Sequence, residues 1–151
     1  MLREFFEKKH YKFAKEAKNW QEAIRMSCEP LLLDNTITEK YVDCIIQNVE
    51  EYGPYIVIIP NVAMPHSQIS AEGVNHTAVT FMKLDKAVSF DENDPEKDAK
   101  LFFTVASCNP DQHMDNIVNL SKIFENEELI NELLEIETGE ELLKLQEKYL
   151  D

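Results

Sequence analysis

Tyr55-Ile56-Val57-Ile58-Ile59 and, shortly after it, Val62-Ala63-Met64-Pro65-His66-Ser67 form an apolar run that ends at a proline-fixed histidine. Residues 55–59 read as a buried strand, because a short unbroken apolar run next to turn residues suits a strand covered on both faces. Pro65 fixes its own φ and drives Met64 into an extended conformation. The imidazole of His66 is therefore presented at a defined point beyond the sheet. Upstream, Val42, Ile45, Ile46 and Val49 make one apolar helical stripe. Thr36 with Glu39 reads as the capping box that starts this helix, and Gly53-Pro54 stops it. A helix, a strand and a presented histidine thus follow one another.

Working outward, the pattern predicts a short helix over 2–9 and a short edge strand over 10–14. Asn19 with Glu22 is a capping box for a helix carrying Trp20, Ala23, Ile24 and Cys28, which Pro30 should kink or end, unless Leu31 to Leu33 continue it locally. Strands are expected over 76–84 and 101–107, with 87–90 pairing nearby and 91–100 a charged loop. Helices follow over 111–124, 127–134 and 138–149, the last opened by a third box, Thr138 with Glu141. Helices around a strand-rich centre imply an α/β fold: one domain over 1–151, with a mixed central sheet and helices on both faces. A chain of 151 residues buries enough surface to need no staples.

Fifteen basic against 29 acidic residues give a net charge of −14, which argues against nucleic acid and anionic membrane surfaces. The surplus suits solubility, or electrostatic steering toward a basic partner. Cys28, Cys44 and Cys108 are odd in number and far apart, as in reduced structural cysteines. The first residues have no long apolar core, and no run nears the roughly 20 residues of a membrane span. The expectation is a cytoplasmic protein without membrane insertion.

The glycines Gly53, Gly73 and Gly139 form neither a dinucleotide fingerprint nor a P-loop, so no nucleotide cofactor is expected. There is no G-x-S-x-G elbow and no H-E-x-x-H. His66, His76 and His113 match no metal-ligand spacing, so no metal is expected. For an arbitrary loop histidine, a satisfied structural ring is the better reading; at His66 the preceding proline and strand favour chemistry. His113 shares a helical face with Ile117, Leu120 and Phe124, which fits a packing residue. At a helix start it could equally donate to an anion, where free N–H groups and partial positive charge favour one. His10 and His76 read as structural, and the methionines as packing.

Asn61-Val62-Ala63-Met64-Pro65-His66 resembles the active-site signature of the mannitol/fructose-type enzyme IIA family of the bacterial phosphotransferase system. Asn109-Pro110-Asp111-Gln112-His113-Met114 is similar to the family's second histidine segment, and the resemblance runs from about Trp20 to Leu145. Tyr41-Val42-Asp43 and Glu50-Glu51-Tyr52-Gly53-Pro54-Tyr55-Ile56-Val57 resemble the ascorbate-type branch. The resemblance implies that His66 takes a phosphoryl group from the phosphohistidine of HPr and passes it to a cysteine of enzyme IIB, with membrane enzyme IIC downstream. It implies a phosphoryl-stabilising role for His113, with Ser67 in support. Two departures stand out. Ser67-Gln68 follow the histidine where many relatives have Ala-Arg, and Glu50-Glu51-Tyr52 occupy the neighbourhood of the arginine of mannitol-type members. Lys83 is the remaining candidate cation. A regulatory enzyme IIA-like protein that binds a target when phosphorylated is the first alternative; a metal-dependent or histidine-based hydrolase is the second.

Overall fold

The computed structural model describes residues 1–68 and 71–151. Its order is α1 (Leu2–Lys8), β1 (Tyr11–Ala14), α2 (Trp20–Leu33), α3 (Glu39–Tyr52), β2 (Val57–Ile59), β3 (Asn61–Ala63), β4 (Ala78–Ser89), β5 (Asp98–Ala106), α4 (Pro110–Phe124), α5 (Glu127–Leu133) and α6 (Gly139–Tyr149). The strands form one mixed sheet in the order β1-β4-β5-β3-β2. β1 runs parallel to β4 and β3 parallel to β5, while β4–β5 and β2–β3 are antiparallel.

The side-chain alternation of the sheet sorts the core into two layers. Ala63, Met82, Leu84, Phe102 and Ala106 face α2 and α3, where Ile24, Cys28, Val42, Ile45 and Val49 are buried. Val62, Phe81, Leu101, Phe103 and Val105 face α1, α4, α5 and α6, with Phe5, Leu120, Ile123, Leu129 and Leu142. Strands covered on both faces read as continuous apolar runs, as 101–106 does. The expected helices on both faces of a mixed sheet are what the molecule has.

Several local expectations change. Residues 55–59 do not form one buried strand. Only Val57–Ile59 pair, at the sheet edge, and Ile58 is exposed. The chain turns at Pro60, with Asn61 at φ 73°, into β3, which the sequence pattern did not separate. β3, not β2, is therefore the strand that delivers His66. Residues 76–84 and 87–90 merge into the single strand β4, whose pairing with β5 is irregular between Lys83 and Val88. β5 starts at Asp98, after a 3-10 turn at Pro95–Lys97, which shortens the charged loop. α2 runs through Pro30 to Leu33, because burial of Ser27, Cys28 and Leu31 outweighs the missing N–H.

The caps divide. Asn19 accepts from the Glu22 N–H as expected. Thr36 caps nothing: its hydroxyl and N–H both donate to Asp34 Oδ1, and Thr38 is the residue that precedes α3. At α6 the Thr138 hydroxyl donates to Glu141 rather than capping the backbone. His10 is structural, as expected: it is buried, with Nε2 2.5 Å from Asp34 Oδ2. Gly73 is required where it stands. Its φ is +86°, and a Cβ would lie 2.6 Å from the Tyr41 nitrogen.

Phe103 sits fully buried at the centre of the second layer, ring to ring with Phe5, Phe81 and Phe124. Phe103→Ala should lower unfolding free energy by about 3–5 kcal/mol, measured by urea denaturation with the m-value held in common. A loss below about 1 kcal/mol would show that the layer collapses around the gap.

Candidate functional site

β3 ends at Ala63, and the chain continues alongside β5 rather than leaving the sheet. The Val105 N–H donates to the Pro65 carbonyl at 2.9 Å, and the Met64 N–H to Ile56 at 2.7 Å. The turn carrying His66 is thus hydrogen-bonded on both sides. Two hydroxyls and an amide finish its anchoring. Tyr55 donates its hydroxyl to the His66 carbonyl and sets its ring edge-on to the imidazole at 5.2 Å. Tyr41 donates to the Val105 carbonyl at 2.6 Å and accepts the Ser67 N–H at 3.2 Å. Asn48 Oδ1 accepts the Gln68 N–H at 2.9 Å and the Ser67 hydroxyl at 3.2 Å.

The orientation of the Asn48 amide follows from chemistry. A main-chain N–H can only donate, so the oxygen must face Gln68. The Ser67 hydroxyl must then donate to that oxygen as well. Both donors of Ser67 are therefore engaged inside the protein.

The same reasoning fixes the tautomer of His66. Its Nδ1 lies 2.6 Å from the Met64 carbonyl oxygen, which can only accept, so Nδ1 carries the proton. Nε2 is left as the basic nitrogen with its lone pair free. A neutral imidazole held in this way is a competent nucleophile. Burial pushes the His66 pKa below the usual 6.5; the Met64 bond opposes this, and the neighbouring His113 adds to it. Burial raises Tyr55 to about 12 and lifts Tyr41 further. Both phenols therefore stay protonated and keep donating.

His66 and His113 come together as the sequence predicts. They line one cleft of about 240 Å³ with Tyr41, Ser67, Gln68, Ala71, Val105 and Ser107. His113 lies in the first turns of α4, which Pro110 opens and Asn109 caps by accepting the Gln112 N–H. Its Nδ1 is buried without a hydrogen-bond partner. No Lys or Arg is among the described lining residues. Lys83 does not supply one. It is buried five residues along β4 from the cleft end of the strand, and it pairs with Asp85 at 3.0 Å. Lys40 pairs with Glu72 at 2.6 Å. His76 is exposed and does not line the cleft. Among the described residues no group of three or more His, Cys, Asp or Glu could hold a metal, and no helix is long and apolar enough to cross a membrane.

Tyr41, Asn48, Tyr55 and Ser107 are absent from the sequence-predicted site. Asn48 left a signal, a polar residue beside the apolar stripe of α3, seven positions from Tyr41. Tyr55 and Ser107 left none, because their places depend on how β2 and β5 end.

The fold is that of sugar phosphotransferase-system enzyme IIA proteins. The solution structure of the mannitol-specific cryptic phosphotransferase enzyme IIA CmtB from Escherichia coli superimposes with a TM-score of 0.84 at 31% identity, covering 97% of this chain and 98% of that one. The crystal structure of IIA mannitol from Escherichia coli gives 0.76 at 25% identity, covering 90% and 94%. The ascorbate-specific PTS system EIIA component of Escherichia coli (strain K12) is 33% identical over 142 residues, 92% of this chain and 90% of that protein. Residues 4–149 match the family described as phosphoenolpyruvate-dependent sugar phosphotransferase system, EIIA 2, and the chain belongs to that family. It is an EIIA component of a sugar phosphotransferase system, a class of phosphotransferase components that carry phosphohistidine.

The lowered pKa sets a pH expectation. Between its folded value and 6.5, the unfolded chain binds the His66 proton more readily than the folded one. The contribution of His66 to stability should be complete above pH 6.5 and fall as pH drops through that window. Ring resonances followed by NMR should titrate with a midpoint below 6.5. A midpoint above it would mean that the Met64 hydrogen bond outweighs burial.

Proposed function

We propose that the whole chain, 1–151, is a cytoplasmic phosphocarrier domain. His66 accepts a phosphoryl group from phospho-HPr and passes it to a cysteine of enzyme IIB, which with membrane enzyme IIC couples the transfer to sugar import. One observation carries this reading: the Met64 carbonyl holds the proton on Nδ1 and leaves Nε2 of His66 free in a cleft shared with His113. As Nε2 attacks phosphorus, the donor's N–P bond breaks and its electron pair stays on the donor imidazole. The positive charge that develops on the His66 ring is stabilised by the carbonyl at Nδ1–H. Ser67 supports the site through the loop, since its own donors are engaged. His113 provides a hydrogen-bond donor for the phosphoryl oxygens. The ascorbate-specific relatives favour L-ascorbate as the sugar, and transfer to an ascorbate-type enzyme IIB in preference to a mannitol-type one tests that assignment.

Incubation with phospho-HPr should label wild type and Ser67→Ala but not His66→Ala. The product should be acid-labile and base-stable, as a phosphoramidate is. Label on His66→Ala, or none on wild type, defeats the assignment. His113→Ala should keep the fold and slow transfer by about 10²–10³-fold, the loss typical of one donor in a preorganised site. An unchanged rate would make His113 a packing residue.

With a net charge of −14, docking to a basic surface should be steered electrostatically. The association rate with phospho-HPr, measured by stopped flow, should fall as ionic strength rises. A flat response would place the acidic surplus away from the interface.

A further inference from the structure

A phosphoryl group brings a charge of about −1.5 to −2 into a cleft whose described lining holds no cation. It needs neutral donors that the protein has not already used. Going round the lining, Tyr41 donates to Val105, the Ser67 hydroxyl to Asn48, the Ser67 N–H to Tyr41, the Gln68 N–H to Asn48 and the Val105 N–H to Pro65. The Ser107 hydroxyl and N–H, by contrast, make no hydrogen bond among the described residues. Ser107 is also rigidly placed. It follows the fully buried Ala106 at the end of β5, and the N–H groups of the next two residues, Cys108 and Asn109, both donate to the Thr77 hydroxyl at 3.0 and 3.1 Å. The side-chain amide of Gln68 is unengaged too, but it is exposed and lies on the loop rather than at the end of a central strand.

We propose that Ser107 is a catalytic residue of the transfer, its hydroxyl donating to a phosphoryl oxygen on His66 together with the imidazole of His113. A donor already in place, and without a partner to give up, stabilises the charge at no cost of reorganisation. Ser107 thereby takes part of the work that a cation would do in this cleft. The inference rests on the reading of His66 as the phosphorylated residue.

The test uses the full chain and phospho-HPr, with wild type, Ser107→Ala and Ser107→Thr. Ser107→Ala should accept phosphoryl about 10- to 100-fold more slowly, and the ³¹P resonance of its phosphohistidine should move from the wild-type position. Ser107→Thr, which keeps the hydroxyl, should restore most of the rate. The urea midpoint of unphosphorylated Ser107→Ala should match wild type, because the hydroxyl has no partner among the described residues in that state. A wild-type rate and an unshifted ³¹P resonance in Ser107→Ala overturn the role of Ser107 and leave His66 standing. Absence of label on wild type overturns both.

Discussion

Val105 is the residue on which the arrangement of the site turns. It is buried in the last turn of the pleat of β5, and its main chain faces away from β4. Its N–H takes the Pro65 carbonyl and its carbonyl takes the Tyr41 hydroxyl. A buried peptide group left unpaired costs about 1–3 kcal/mol, so these two bonds are strongly preferred. Between them they dock the histidine turn and α3 onto the central strand. β5 also feeds α4 through Ser107 and Asn109, so the second histidine is positioned from the same strand end. The two imidazoles meet because both depend on one element that is covered on both faces and cannot shift.

The turn around His66 is held almost entirely by neutral groups. Two phenols, one carboxamide and main-chain carbonyls fix the backbone, and among the described residues no ion pair takes part. Neutral hydrogen bonds do not depend on the charge state of the phosphoryl group, whereas an arginine clamp would. The loop can therefore keep one geometry whether or not the phosphoryl is present. Burial raises both phenols away from neutrality, which secures their hydrogens as donors. Burial also keeps His66 neutral near pH 7, the form that can attack. One physical cause, exclusion of water at the end of the sheet, thus serves both the scaffold and the proposed nucleophile.

The departures from the pattern of arginine-bearing relatives take on a structural meaning. Glu50 and Glu51 are exposed on α3, while Asn48, on the buried side of the same helix, ties the residues after His66. Ser67 gives Asn48 a second bond. In this chain the helix supplies a fixed acceptor to the loop.

Periodicity alone set the helices, the apolar central strand and the layered α/β class, because amphipathic faces must find a core. The proline before His66 marked the presented imidazole, and the periodicity over 111–124 marked the helix whose start carries His113. The sequence could not show that 57–63 form a hairpin instead of one buried strand. That outcome depends on β3 pairing with β5 some forty residues away, which leaves β2 at the edge. Nor could it show Thr36 captured by Asp34, or decide between the helix ending at Pro30 and its continuing to Leu33, which packing against the sheet settled. The roles of Tyr41 and Tyr55 were hidden for the same reason. Each is an ordinary polar or aromatic residue until the strands end, and only the ends of β2, β3 and β5 bring their hydrogen-bonding groups within reach of the turn at His66.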